Sequence, residues 1–201
     1  MKKKIFIFLF DGFSDWEIAY LTPEIHKSEH FEVVYFSKDG NPVTSMGGLK
    51  ITPTMSLTEV NTRNLHLLVL PGGEAWDRGE NTEVENLVKS CSEKRKPIVV
   101  ICAVTGFLAR LGMLDKIKHT SNDIEYLKMV CPDYKEDSYY INSPAVSDGN
   151  LITASGIAPL EFSYEVFKKL SVMKEETLDA WYHLYKTKEA KYFFSLMESL
   201  N

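Results

Sequence analysis

The feature that most constrains this fold is a set of short runs that are apolar almost throughout. Lys4–Phe10, Leu65–Leu70 and Pro97–Ile101 are such runs, and they stop at Asp11-Gly12, at Pro71-Gly72-Gly73 and at Cys102. A strand with one face in water alternates apolar and polar residues. A strand apolar on both sides has to be covered on both, which parallel sheets achieve through helical crossovers. Helical patterns fill the gaps, at Ser14 to Lys27, Glu80–Glu93, Ala103–Leu111, Asn122–Val130 and Pro159–Leu170. The spacing in Glu80–Glu93 puts Val84, Leu87, Val88 and Cys91 on one face, which makes Cys91 a core residue. Further strand signals lie at Phe31–Phe36, Tyr139–Ile141 and Leu151–Ala154, with extended stretches at Val43–Pro53 and Lys116–Thr120. The alternation predicts an α/β fold, a doubly wound and mostly parallel sheet with helices on both faces.

The chain has 201 residues, enough for one domain with a substantial core. We expect that domain to span residues 1–172. Residues 173–201 would form a helical appendage, whose stripe of Tyr192, Phe193, Leu196, Met197 and Leu200 packs on the domain or on a partner subunit. A formal net charge of −5 argues against nucleic acid or an anionic membrane as partner. The opening MKKKIFIFLFDG loses its apolar run at Asp11 without a small-residue cleavage site, so a cytoplasmic protein is expected. Cys91, Cys102 and Cys131 share no disulfide-like or metal-like spacing. His26, His30, His66 and His183 lack ligand spacing too, and no cofactor or metal is expected.

Sites in open parallel sheets form beyond the carboxyl ends of the strands. Cys102 sits where a strand meets a helix. The dipole and free N–H groups at the helix start would favour its thiolate and lower its pKa, whereas the alternative is a buried cysteine packed as a small hydrophobe. Gly73 can present its N–H without obstruction, and with the Ala103 N–H it could form an oxyanion hole; the alternative is a plain turn. Glu17 has two readings as well. Ser14-Asp15-Trp16-Glu17 fits a capping box, and the same carboxyl could sit beside the Cys102 thiol, with burial raising its pKa. Glu74, Trp76 and Asp77 line a pocket mouth or belong to a solvated loop.

PIVVICAVTGFLARLGMLD, with LLVLPGGEAWD, FLFDGFSDWE and DGNLITASGIAPLEF in this order and spacing, resembles the ThiJ/PfpI family of the class I glutamine amidotransferase-like superfamily. The resemblance runs from Lys4 to Leu170. It implies a flavodoxin-like sandwich, a reactive cysteine at Cys102 on a nucleophile elbow, an acidic partner at Glu17, oxyanion-binding amides at Gly73 and Ala103, and a homodimer. Two departures stand out. Val104 is bulkier than the small residue common two positions after the cysteine. Ala103 and Asn122 stand where members with a catalytic histidine carry it. Asn122 either orients substrate or caps the helix that follows it, while His119 would point elsewhere. The implied function is a cysteine-dependent hydrolase or glyoxalase/deglycase-like enzyme acting on a small carbonyl or amide substrate, with peptidase activity disfavoured. A redox or stress sensor working through Cys102 oxidation and a non-catalytic dimeric binding module are the alternatives.

Overall fold

The computed structural model describes residues 2–200. In chain order the strands are β1 (Lys3–Phe8), β2 (Phe31–Ser37), β3 (Val43–Thr44), β4 (Lys50–Ile51), β5 (Met55–Ser56), β6 (Leu65–Leu70), β7 (Ile98–Ile101), β8 (Ala145–Asp148) and β9 (Leu151–Ala154). The helices are α1 (Leu21–Lys27), α2 (Glu74–Asp77), α3 (Glu85–Glu93), α4 (Val104–Arg110), α5 (Ile124–Val130), α6 (Pro159–Leu170), α7 (Glu175–Thr187) and α8 (Ala190–Ser199). The main sheet has seven strands in the order β5-β2-β1-β6-β7-β9-β8, parallel except for the edge pair β8–β9, and β3 with β4 forms a separate hairpin.

The chain steps from β1 outward to β2, then returns across β1 to β6 and β7. Right-handed crossovers in opposite directions place helices on opposite faces of the sheet. This is the doubly wound, flavodoxin-like α/β fold that the apolar runs require. Ile5–Leu9, Leu67–Leu70 and Ile98–Ile101 are buried along their whole length. Cys91 is buried on α3 beside Leu87 and Val88. The reversal of strand order falls between β1 and β6, the point where such sheets open a crevice for a ligand.

Several elements differ from the sequence expectation for local reasons. The stretch from Ser14 to Lys27 is not one helix. A 3₁₀ turn at Asp15–Ile18 is followed by a break at Tyr20 and then α1. An unbroken helix would carry Pro23 in its interior, where it lacks the N–H and clashes with the preceding turn; the restart puts it in the first turn of α1. The helix expected from Glu80 begins at Glu85, because Gly79 and Asn81 have φ of +73° and +60°. Tyr139–Ile141 is not a strand. Asp137–Tyr139 is a 3₁₀ turn, and only an isolated bridge joins His119 to Tyr140. The edge strand lies instead at β8, joined to β9 through Gly149-Asn150.

The tail forms two helices. Leu178 and Trp181 of α7 are buried, with the Trp181 ring 5.1 Å from Phe167 and 6.2 Å from Tyr20. On α8, Leu196 packs on the core, while Phe194, and Leu200 just after the helix, are 63% and 66% exposed. Among the described residues, no helix is long and apolar enough to cross a membrane.

Candidate active site

Four neighbouring strands, β1, β6, β7 and β9, run parallel and deliver their carboxyl ends to one place. Glu17 follows β1, Gly72 and Gly73 follow β6, Cys102 follows β7, and Gly156 follows β9. The convergence arises from topology, so residues far apart in sequence meet in a single crevice.

Cys102 has φ +63°, a left-handed conformation that a side chain adopts at a cost of about 1–3 kcal/mol. The surroundings hold it there. Its N–H donates to the Ala154 carbonyl at 2.9 Å. Its carbonyl accepts from the Thr105 N–H at 3.1 Å and from Thr105 Oγ1 at 2.7 Å. Thr105 Oγ1 also pairs with Ser121 Oγ at 2.6 Å, so two buried hydroxyls brace the turn from behind. Cys91 and Cys131 are buried, while Cys102 is partly exposed.

Glu17 is fully buried. Its Oε2 accepts from the Gly72 N–H at 2.6 Å, and Oε1 has no formal hydrogen-bond partner. No cap forms at Ser14, so the capping-box reading of Glu17 does not hold. A methyl group on Gly156 would meet Cys102 Sγ at 2.7 Å and Glu17 Oε1 at 3.2 Å, which puts thiol and carboxyl against one small gap. A methyl on Gly72 would meet both Glu17 oxygens at 2.8 Å and Cys102 Cβ at 2.6 Å. Glycine at these two positions is what lets the pair approach. Gly73 has φ +147°, and a side chain there would strike the Gly12 carbonyl at 2.7 Å.

Among the described residues, neither the Gly73 N–H nor the Ala103 N–H is spent on a protein oxygen. The Ala103 N–H favours a negative charge on Cys102 Sγ. Asn122 completes the cluster, with Nδ2 3.5 Å from Sγ and Oδ1 accepting from the Gly156 N–H at 2.8 Å. Asn122 is therefore not the helix cap. Asp123 caps α5, accepting from the Glu125 N–H at 2.8 Å.

The electrostatics differ from the expectation of a lowered thiol pKa. Burial raises Glu17 to about 7, opposed by hydrogen bonding to Gly72, Cys102 and Ser14. Burial, followed by the Glu17 charge, pushes the Cys102 thiol up to about 12, against the opposing Asn122 and Ala103 donors. The start of α4 does not outweigh desolvation beside a carboxylate. Thiol and carboxyl are thus a coupled pair, each pushed up by burial, whose titration belongs to both.

His119 is buried with both ring nitrogens engaged, Nδ1 with the Ile117 carbonyl and Nε2 with Tyr134 Oη, each at 2.7 Å. Val104 lies in the core. Trp76 is fully buried, its Nε1 donating to the Pro71 carbonyl, so it does not line a pocket mouth. Asp77 accepts from Tyr126 Oη at 2.6 Å, and Glu74 is an exposed partner of Arg78. Sequence reasoning missed Gly156, Thr105 and Ser121 as parts of the site. Ser155-Gly156 at the end of β9 was the available signal, since a fourth strand ended there in small residues. Among the described residues, no group of three or more His, Cys, Asp or Glu side chains could hold a metal ion.

Comparison with known proteins bears on this geometry. A family model described as the DJ-1/PfpI family matches residues 3–169. The chain is 42% identical over 206 residues to a Bacillus subtilis protein named "Uncharacterized protease YoaZ", covering 99% of this chain and 98% of that one. A deglycase of Thermococcus kodakarensis is 29% identical over 153 residues, covering 75% of this chain and 89% of its own. Among solved structures, a thiJ/pfpI family protein from Bacillus anthracis superposes with a TM-score of 0.89 at 42% identity, covering 99% of this chain and 97% of that chain.

Proposed function

Because the chain belongs to the DJ-1/PfpI family, we propose that it is a cysteine-dependent enzyme of the hydrolase or deglycase type that acts on a small carbonyl or amide substrate. Relatives named as a protease and as deglycases support the class. The observation that carries the reading is the buried Glu17 carboxyl, raised to about 7, facing a cysteine held in a left-handed turn.

A base with a pKa near the working pH is suited to take a proton in one step and return it in the next. Glu17 Oε1 accepts the thiol proton as Sγ bonds to the carbonyl carbon. The carbonyl oxygen gains the electron pair and is held by the Gly73 and Ala103 N–H groups. With an amide, the intermediate collapses to a thioester, and Glu17 passes its proton to the departing amine. Water then cleaves the thioester with Glu17 again as base. With methylglyoxal, the addition gives a hemithioacetal. Transfer of the proton on the former aldehyde carbon to the neighbouring carbon, with the hydroxyl proton passing to the neighbouring oxygen, gives a lactoyl thioester, which water releases as lactate. Asn122 holds the thiol and Gly156 in register and orients the substrate beside them.

An oxidation-sensor role would use the same thiol without turnover; relatives named as a protease and as deglycases support the enzyme reading over it. A peptidase dyad is disfavoured as well, since the buried His119 is committed elsewhere. Methylglyoxal consumption with lactate release tests the proposal. Activity should vanish in Cys102→Ser and fall by about a hundredfold or more in Glu17→Gln. Equal turnover by the wild type and Cys102→Ser would refute it.

A further inference from the structure

Asn122 has two neighbours of different kinds. It touches Cys102 Sγ, and it also forms part of the wall of a cavity of about 360 Å³. The other walls include Ser155, Asn142 and Ile157, and among the described residues the ionisable groups lining it are Glu161 and Lys186. Glu161 lies in the first turn of α6. Lys186 lies in the last turn of α7, beyond the residues that the family model matches. The tail therefore contributes a wall of a cavity adjoining the proposed nucleophile.

The two charges are not equivalent. Glu161 Oε1 already accepts from Lys186 Nζ at 2.6 Å and from Tyr182 Oη at 3.1 Å; desolvation raises the carboxyl, and hydrogen bonding, with Lys186 first, outweighs it and holds it below its usual range. Lys186 Nζ spends one of its three donors on Glu161, and its side chain is half exposed. Glu161 thus anchors the ammonium, and two of its three donors are not spent on that carboxyl. Ile157 at the cavity rim is 95% exposed, an apolar side chain for a ligand stem to cover.

We propose that this cavity is a substrate subsite in which Lys186 receives an anionic group, a carboxylate, at the far end of a short apolar stem, with Glu161 as its positioning partner. The inference rests on the nucleophile reading of Cys102 for its link to catalysis, though binding itself does not. In this account the C-terminal helices act as a specificity element, and preferred substrates carry a carboxylate a few bonds from the reacting carbonyl.

Butyrate, butyramide and butylamine form a set of near-equal size with different charge. Each is tested for slowing Cys102 alkylation by iodoacetamide, read as the ratio of rates with and without probe, so that changes in basal thiol reactivity cancel. Butyrate should protect at about threefold or more lower concentration than butyramide, in keeping with a partly exposed charge pair, and butylamine should protect least. Lys186→Met should remove the butyrate advantage, whereas Glu161→Gln, which leaves the ammonium uncompensated, should enlarge it. Calorimetry of butyrate binding to Cys102→Ser reads the same subsite without thiol chemistry, so an unreactive cysteine and an empty subsite give different results. Butyrate protection that survives Lys186→Met would place the anion at the Gly73 and Ala103 amides and overturn the proposal. Stronger protection by butylamine would overturn it too, making Glu161 the anchor.

Discussion

A carboxyl group with no exposed surface is destabilising when ionised, and Glu17 is such a group. Its folded pKa of about 7 lies above the ordinary value of 4.5. The native state therefore binds this proton more tightly than the unfolded chain. That contribution to stability is fully present below about pH 4.5 and is lost as pH rises through about 7. Glu17→Gln removes the charge and keeps an acceptor for the Gly72 N–H. It should be more stable than the wild type at pH 8, by something on the order of 2–3 kcal/mol. The gain should shrink towards pH 5, where Glu17 is protonated. Thermal melting of both proteins at the two pH values checks this. A variant less stable than the wild type at pH 8 would assign Glu17 a structural role instead.

At the scale of elements, the site depends on how closely strand ends and the elbow approach. The Gly156 position leaves no space for a methyl group beside Sγ. Gly156→Ala should lower Cys102 alkylation about tenfold or more, since one methylene is enough to strain a close-packed site, while circular dichroism remains native. Unchanged reactivity would show that the gap is not what sets access to the thiol. The same scale shows what the sequence made legible. Apolar runs fix the parallel strands β1, β6 and β7, because only a sheet covered on both faces can hold them, and Cys102, Glu17 and Gly73 follow from where those runs stop. Asn122 and Gly156 depend on how loops fold over the crevice, which no local periodicity records. The polar, partly exposed β8 has no apolar run to reveal it. A helix start beside Cys102 is visible in sequence, whereas desolvation beside Glu17, which pushes the thiol up, appears only once the strands are assembled.

The whole molecule carries an apolar surface on α8 and just beyond its end, where Phe194 and Leu200 stand in solvent. We propose that this face contributes to a two-fold homodimer, the commonest closure for soluble oligomers. Light scattering should give a dimer at micromolar concentration, and Phe194→Glu with Leu200→Glu should shift it towards monomer. Removing the tail altogether is a poor test, because Leu178 and Trp181 are part of the core and their loss would expose Phe167. A wild-type monomer would refute the dimer, and a dimer unaffected by both glutamates would place its interface elsewhere.

These scales meet in the single proton shared by Cys102 and Glu17. The rate of Cys102 alkylation by iodoacetamide, followed by mass spectrometry from pH 5 to 9, reads that proton directly. In the wild type the rate should rise through an apparent pKa near 7, as the pair passes from two protons to one and the remaining proton can sit on Glu17. In Glu17→Gln the inflection near 7 should disappear, leaving a rise only at higher pH, where the buried thiol ionises on its own. The same inflection in both proteins would contradict the account, because the group titrating near neutrality would then not be Glu17.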